Sequence, residues 1–90
     1  MNLETFADVI GAELRIYRIP GRTPRWYATF ESCEIKNGSI LRSAFGNGDT
    51  PLEAIENYTS EIRGQRLVFR AMVPGERREY NAPDDLRAPK

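Results

Sequence analysis

The side chains able to do chemistry are few in kind. Arginine supplies eleven of the thirteen cationic residues, cysteine occurs once and histidine not at all. Arg15, Arg18, Arg22 and Arg25 follow one another at intervals of three or four residues, with Tyr17 and Tyr27 among them. Guanidinium forks grip phosphates or carboxylates in bidentate fashion, and tyrosine with arginine is a common pairing at protein interfaces. These six residues are the candidate partner-binding set. Without an imidazole the usual proton shuttle near neutral pH is missing, and Cys33 has no histidine to activate it as a nucleophile. Glu31 with Glu34, and Asp84 with Asp85, are carboxylate pairs without the further ligands a divalent ion needs. One cysteine makes neither an intrachain disulfide nor a thiolate zinc cage. The expectation is a non-enzymatic protein with no catalytic residues, no metal and no cofactor.

Charge is balanced overall, with thirteen acidic residues against thirteen basic, but it is unevenly placed. Residues 12–30 carry net +3, four arginines against Glu13, and residues 63–70 carry +3 from Arg63, Arg66 and Arg70. Residues 31–62 carry −4. If the first and last strands are neighbours, one region is basic while the outer face of the main helix is acidic. Nucleic-acid binders usually show a clear cationic excess, because phosphate neutralisation supplies most of the affinity. A protein partner therefore ranks first and nucleic acid second.

Ninety residues are enough for one small domain with a modest core. No apolar run is long enough to span a membrane and no secretory leader is visible, so a cytoplasmic domain is expected. Leu3, Phe6, Ala7 and Ile10 form one helical stripe after the cap residue Asn2 and before Gly11. Leu14 and Ile16 then alternate with Arg15 and Tyr17, as in a strand with one buried face. After the Pro20–Pro24 turn, Trp26 to about Ile35 has strand composition. Asn37-Gly38 predicts a hairpin with a type I′ turn, and the returning strand Ser39–Phe45 reads as central.

Gly46-Asn47-Gly48 reads as a loop whose glycines turn the chain sharply, rather than as a phosphate cradle. Thr50-Pro51-Leu52-Glu53 is a capping signature: Thr50 caps, Pro51 takes the first helical position and Glu53 reaches back. The helix that follows places Leu52, Ile55, Tyr58, Thr59 and Ile62 on one stripe and ends at Gly64. Leu67–Val73 is a final long, apolar strand, a candidate edge for homodimer formation. Val73-Pro74-Gly75-Glu76 predicts a type II turn, so that Arg77–Asn81 folds back as a short edge strand. The fold class is α+β in the order α-β-β-β-α-β: an antiparallel sheet of four strands, five with the last, and the main helix on one face. Residues 1–82 form the domain and residues 83–90 a flexible C-terminal tail.

That element order is similar to the double-stranded RNA-binding domain, but Asp49 and Glu53 open the second helix where that module needs lysines. The runs Trp26–Glu31, Phe45–Tyr58, Glu61–Gly64 and Leu67–Phe69 resemble a group of small proteins encoded by bacteriophages and prophages. Their centre is the Gly46-Asn47-Gly48-Asp49-Thr50-Pro51-Leu52-Glu53-Ala54-Ile55 junction. Gly48-Asp49-Thr50 and Glu53-Ala54 also resemble HicB-type antitoxins. The phage resemblance implies a stoichiometric inhibitor, anti-CRISPR-like, that binds a host defence or nucleic-acid-handling complex in the host cytoplasm by protein–protein contact. The HicB resemblance implies a cover for a toxin ribonuclease, although no DNA-binding extension follows Val73. A nucleic-acid-binding module using the arginine-rich strand is the remaining alternative.

Overall fold

The computed structural model describes residues 1–89. Helix α1 (Leu3–Ile10) begins at Asn2, whose side-chain oxygen accepts the Thr5 amide at 2.8 Å, and stops at Gly11 with φ 70°. Eight residues do not hold a helix in water. The stripe of Leu3, Phe6 and Ala7 is buried against the rest of the molecule, as the spacing predicts.

Strands β1 (Leu14–Arg18) and β2 (Trp26–Phe30) form an antiparallel hairpin, followed by β3 (Cys33–Asn37) and β4 (Ile40–Ser43). Next come β5 (Gly46–Gly48), α2 (Pro51–Ile62), β6 (Arg66–Phe69) and β7 (Arg78–Asn81). The α+β class and the antiparallel pairing are as expected. The strands, however, make two sheets, in the orders β1-β2-β5 and β4-β3-β6-β7. Ser32, at φ 55°, breaks the strand expected from Trp26 to Ile35 into β2 and β3 and sends the second half into the other sheet.

The other departures are local. The hairpin between β3 and β4 exists, but Asn37 pairs with Ile40 and the loop is Gly38-Ser39, with positive φ at Gly38 alone. That is the requirement of a type II′ turn, not type I′. Strand β4 lies at a sheet edge rather than in the centre. The expected final strand stops at Phe69 because Arg70 takes φ 52°, and it lies inside its sheet between β3 and β7. It is not an edge open to a second chain. The Val73–Glu76 turn and the returning strand β7 are present, with the Glu76 amide donating to the Val73 carbonyl at 3.1 Å.

The segment expected to be a flexible tail is packed. Leu86 is fully buried, and the Arg87 backbone bonds to Met1 and Leu3 at 3.0 and 2.7 Å. Apolar burial of a whole leucine, worth about 2 kcal/mol, opposes fraying there. Lys90, the last residue of that expected tail, lies outside the described residues.

Helix α2 is capped by Thr50 as predicted, its hydroxyl accepting the Glu53 amide at 3.1 Å, but the Glu53 carboxylate reaches past the cap amide to accept the Asp49 amide at 2.9 Å. Its buried face is Ala54, Tyr58, Thr59 and Ile62, whereas Leu52 is exposed. The reason lies in β5. A Cβ on Gly46 would stand 2.1 Å from the Tyr58 backbone nitrogen, and one on Gly48 would stand 2.5 Å from Glu53 Cβ. The two glycines form a strand that lets α2 lie almost on the backbone of the sheet. At the centre of the core Phe30 touches three rings, Phe6, Tyr58 and Phe69, at centroid distances of 6.3, 5.5 and 5.9 Å.

Candidate functional site

Strand alternation gives the three-stranded sheet two different faces. Ala28 and Phe30 of β2, with Gly46 and Gly48 of β5, lie under α2. The opposite face carries Arg15 and Tyr17 of β1 and Tyr27 and Thr29 of β2, with Arg15 across from Thr29 and Tyr17 across from Tyr27.

On that face three rings stack in a row. Tyr17 and Tyr27 lie 5.6 Å apart at 21°, and Tyr27 and Phe45 lie 5.2 Å apart at 23°. The row runs across the strands, and its two end members are exposed, Tyr17 at 44% and Phe45 at 49%. Such offset stacks each contribute about 0.5–1.5 kcal/mol beyond area burial, so the row is stiff although wet.

An open groove of about 520 Å³ runs beside the row, bordered by Tyr17, Phe45, Thr29, Cys33, Met72 and Val73. Met72 is 88% exposed on a short segment pinned at its ends: the Arg70 amide donates to Ser32 and the Val73 amide to Arg70. The Arg70 side chain also pairs with Glu76 at 3.1 Å. Tyr17, Phe45, Met72 and Val73 together offer apolar surface around a concavity, the pattern of an interaction site rather than of scattered exposed residues.

The six residues singled out from sequence are divided by the structure. Arg15, Tyr17 and Tyr27 share the outer face, where Arg15 is paired with Glu31. Arg18 falls by alternation on the helix side, opposite Trp26, and borders a depression with Arg25, Thr23, Trp26 and Asp49. Arg22 lies in the turn between β1 and β2. Among the described residues Arg18, Arg22 and Arg25 form no ion pair, so this end of the hairpin is the uncompensated cationic part of the region. The second arginine cluster does not join it. Arg66 and Arg70 sit in or beside the other sheet and pair with Glu79 and Glu76, and Arg63 Nε donates to the Leu86 carbonyl at 2.7 Å.

Glu79 accepts from Lys36, Arg66 and Arg77 at 3.1 to 3.4 Å, and the Arg66 hydrogen bond is the main cause holding its carboxyl below the usual range. Burial pushes the Cys33 thiol up to about 12, against a weaker lowering from the Tyr58 hydroxyl. The thiolate needed for attack or metal binding is therefore scarce at neutral pH. Glu31 is paired with Arg15, and Asp85 with the N-terminal ammonium. Among the described residues no helix is long and apolar enough to cross a membrane.

Sequence reasoning missed Phe45, Met72 and Val73. Phe45 becomes the third ring only because β5 pairs with β2, and Met72 is exposed only because the strand ends at Phe69. Compared with known proteins, the chain matches no family model, no curated protein and no solved structure.

Proposed function

We propose that this chain is a non-enzymatic binding module that docks on a protein partner through the Tyr17–Tyr27–Phe45 row and the adjoining groove. The observation carrying this reading is the row itself: stacked, half-exposed aromatics beside a concavity rimmed by Met72 and Val73. Rigid aromatics are the commonest anchors of protein interfaces, because they bury large area while ordering few torsions. The partner surface that fits has an apolar prominence for the groove and reaches round the hairpin end with carboxylates for Arg18, Arg22 and Arg25, of which Arg18 lies off the ringed face. The resemblance to small phage proteins supports a partner that is a host defence or nucleic-acid-handling complex, blocked by stoichiometric cover in the host cytoplasm.

Charge favours protein over nucleic acid: the chain carries no net charge, whereas phosphate neutralisation supplies most nucleic-acid affinity. The unpaired arginines at the hairpin end favour the second reading, a nucleic-acid contact at that end alone.

The test is capture from host lysate, then titration of the captured partner against wild type, Phe45→Ser and the Arg18→Glu/Arg22→Glu pair. Both variants should bind at least about tenfold more weakly (about 1.4 kcal/mol) while staying folded, the arginine pair with a nearly unchanged melting temperature and Phe45→Ser melting about 2–12 °C lower for the lost stack on Tyr27. Full-strength binding by both, or capture of nucleic acid whose affinity falls log-linearly with salt, would overturn the proposal.

A further inference from the structure

The sheets have four outer strands, and β1, at five residues, is the longest of them; β4 and β7 have four each and β5 three. The β5 edge is partly covered, since the Asn57 amide donates to the Asn47 carbonyl at 2.6 Å. On β1 the pairing fixes which backbone groups are free. The Ile19 amide donates to the Arg25 carbonyl opposite it, and the Glu31 amide to the Glu13 carbonyl opposite it. Hydrogen-bonded pairs alternate along an antiparallel ladder, so odd-numbered residues of β1 bond to β2. Leu14, Ile16 and Arg18 turn their N–H and C=O groups outward.

Natural sheets guard such an edge with proline, bulges or charged side chains, lysine above all. Residues 14–18 contain neither proline nor lysine and pair with β2 in unbroken register; their two charges are Arg15, neutralised by Glu31, and Arg18, which lies on the helix side. The aromatic row points the same way. It ends at Tyr17, the ring beside the free edge, whose face away from Tyr27 meets no other ring among the described residues.

We propose that two copies of this chain pair through the free edges of β1, antiparallel about a two-fold axis at Tyr17. The two three-stranded sheets then become one of six strands, and the row of rings runs unbroken from Phe45 of one copy to Phe45 of the other. In this register each Ile16 exchanges backbone hydrogen bonds with Arg18 of the other copy, which satisfies the outward groups at both residues. Arg15 lies across from Ile19 and Arg18 across from Ile16, so no guanidinium opposes another. A two-fold axis at Arg15 would set two cations directly opposite, which is destabilising. The axis at Tyr17 is self-complementary in rings and charge, and in backbone over residues 16–18, beyond which Pro20 of the other copy ends the ladder opposite Leu14.

Sedimentation equilibrium of the full chain between about 10 μM and 1 mM tests the association, and cross-linking tests the register. At the two-fold axis the Cα atoms of a non-hydrogen-bonded pair lie about 4.5 Å apart, within disulfide range. Tyr17→Cys should therefore yield a covalent dimer on mild oxidation, whereas wild type, with Cys33 alone, and Arg15→Cys should not. Ile16→Pro removes an outward amide without touching the bonds to β2 and should stay folded by circular dichroism while sedimenting as a monomer. A mass of 10.3 kDa throughout the concentration range would overturn the proposal, as would a dimer that survives Ile16→Pro, or cross-linking at Arg15→Cys without cross-linking at Tyr17→Cys. Phe45→Ser leaves the β1 edge intact and should still dimerise, so loss of partner docking and loss of self-association are separately readable.

Discussion

Removing one oxygen from Tyr58 should expose how the two sheets are joined. The Phe30 amide points away from β1, toward the line of β5, but β5 begins only at Gly46 and pairs no further along β2 than Ala28. The orphaned amide donates instead to the Tyr58 hydroxyl at 3.1 Å, in a site where Tyr58 and Phe30 are each about 1% exposed. Tyr58→Phe keeps the ring and its edge-to-face contact with Phe30, 5.5 Å at 90°, and deletes the hydroxyl that accepts from the Phe30 amide and also meets Cys33. A buried N–H left unpaired costs about 1–3 kcal/mol. For a chain of this size total stability is about 5–13 kcal/mol, and each kcal/mol moves the melting temperature by about 4–8 °C. The variant should therefore lose about 1–3 kcal/mol in urea with an unchanged slope, and melt about 5–20 °C lower. A loss below about 0.5 kcal/mol would refute the account, because it would mean that the Phe30 amide has another acceptor.

Gly46→Ala should be worse than ordinary overpacking, which costs about 1–3 kcal/mol, because its Cβ would meet backbone at 2.1 Å rather than a movable side chain. Little folded protein is expected on expression, whereas Gly38→Ala, which has open space but φ +64°, should fold with a loss of about 1 kcal/mol in urea. Stability should also fall in alkali. Burial raises the Cys33 thiol from 9.0 to about 12 and raises the Tyr58 hydroxyl above its usual 10.0, so the folded chain holds protons that the unfolded chain releases. The urea midpoint should be flat between about pH 7 and pH 9 and decline above it, and Cys33→Ala should delay the onset toward pH 10.

Local signals carried most of the secondary structure. The caps at Asn2 and Thr50, the stop at Gly11, the hairpin at Gly38 and the turn at Gly75 each depend on a few neighbouring residues, and each is legible in the chain. The division into two sheets was not, because it rests on positive φ at Ser32 and Arg70, residues whose type gives no warning of it. The glycines of β5 were visible but read as turn formers, since their real function, the close approach of α2, depends on helix residues five and more positions away. At the candidate site, alternation placed Tyr17 and Tyr27 together on the outer face. Phe45 needed the β2–β5 pairing, and the split between paired Arg15 and unpaired Arg18, Arg22 and Arg25 needed the position of Glu31.

The contact between Arg87 and the start of α1 sets an order of events during synthesis. Leu3 donates to Arg87 and Arg87 donates to Met1, and Leu86 is buried in the same core as Leu3 and Phe6. An eight-residue helix has no independent stability, so α1 waits until Leu86 and Arg87 have been made before it can settle. Until then the apolar stripe of Leu3, Phe6 and Ala7 stays open to the nascent chain's surroundings. A product cut short before Leu86 would release a chain with its opening segment unseated, a natural handle for the quality-control proteases that dispose of unfinished chains.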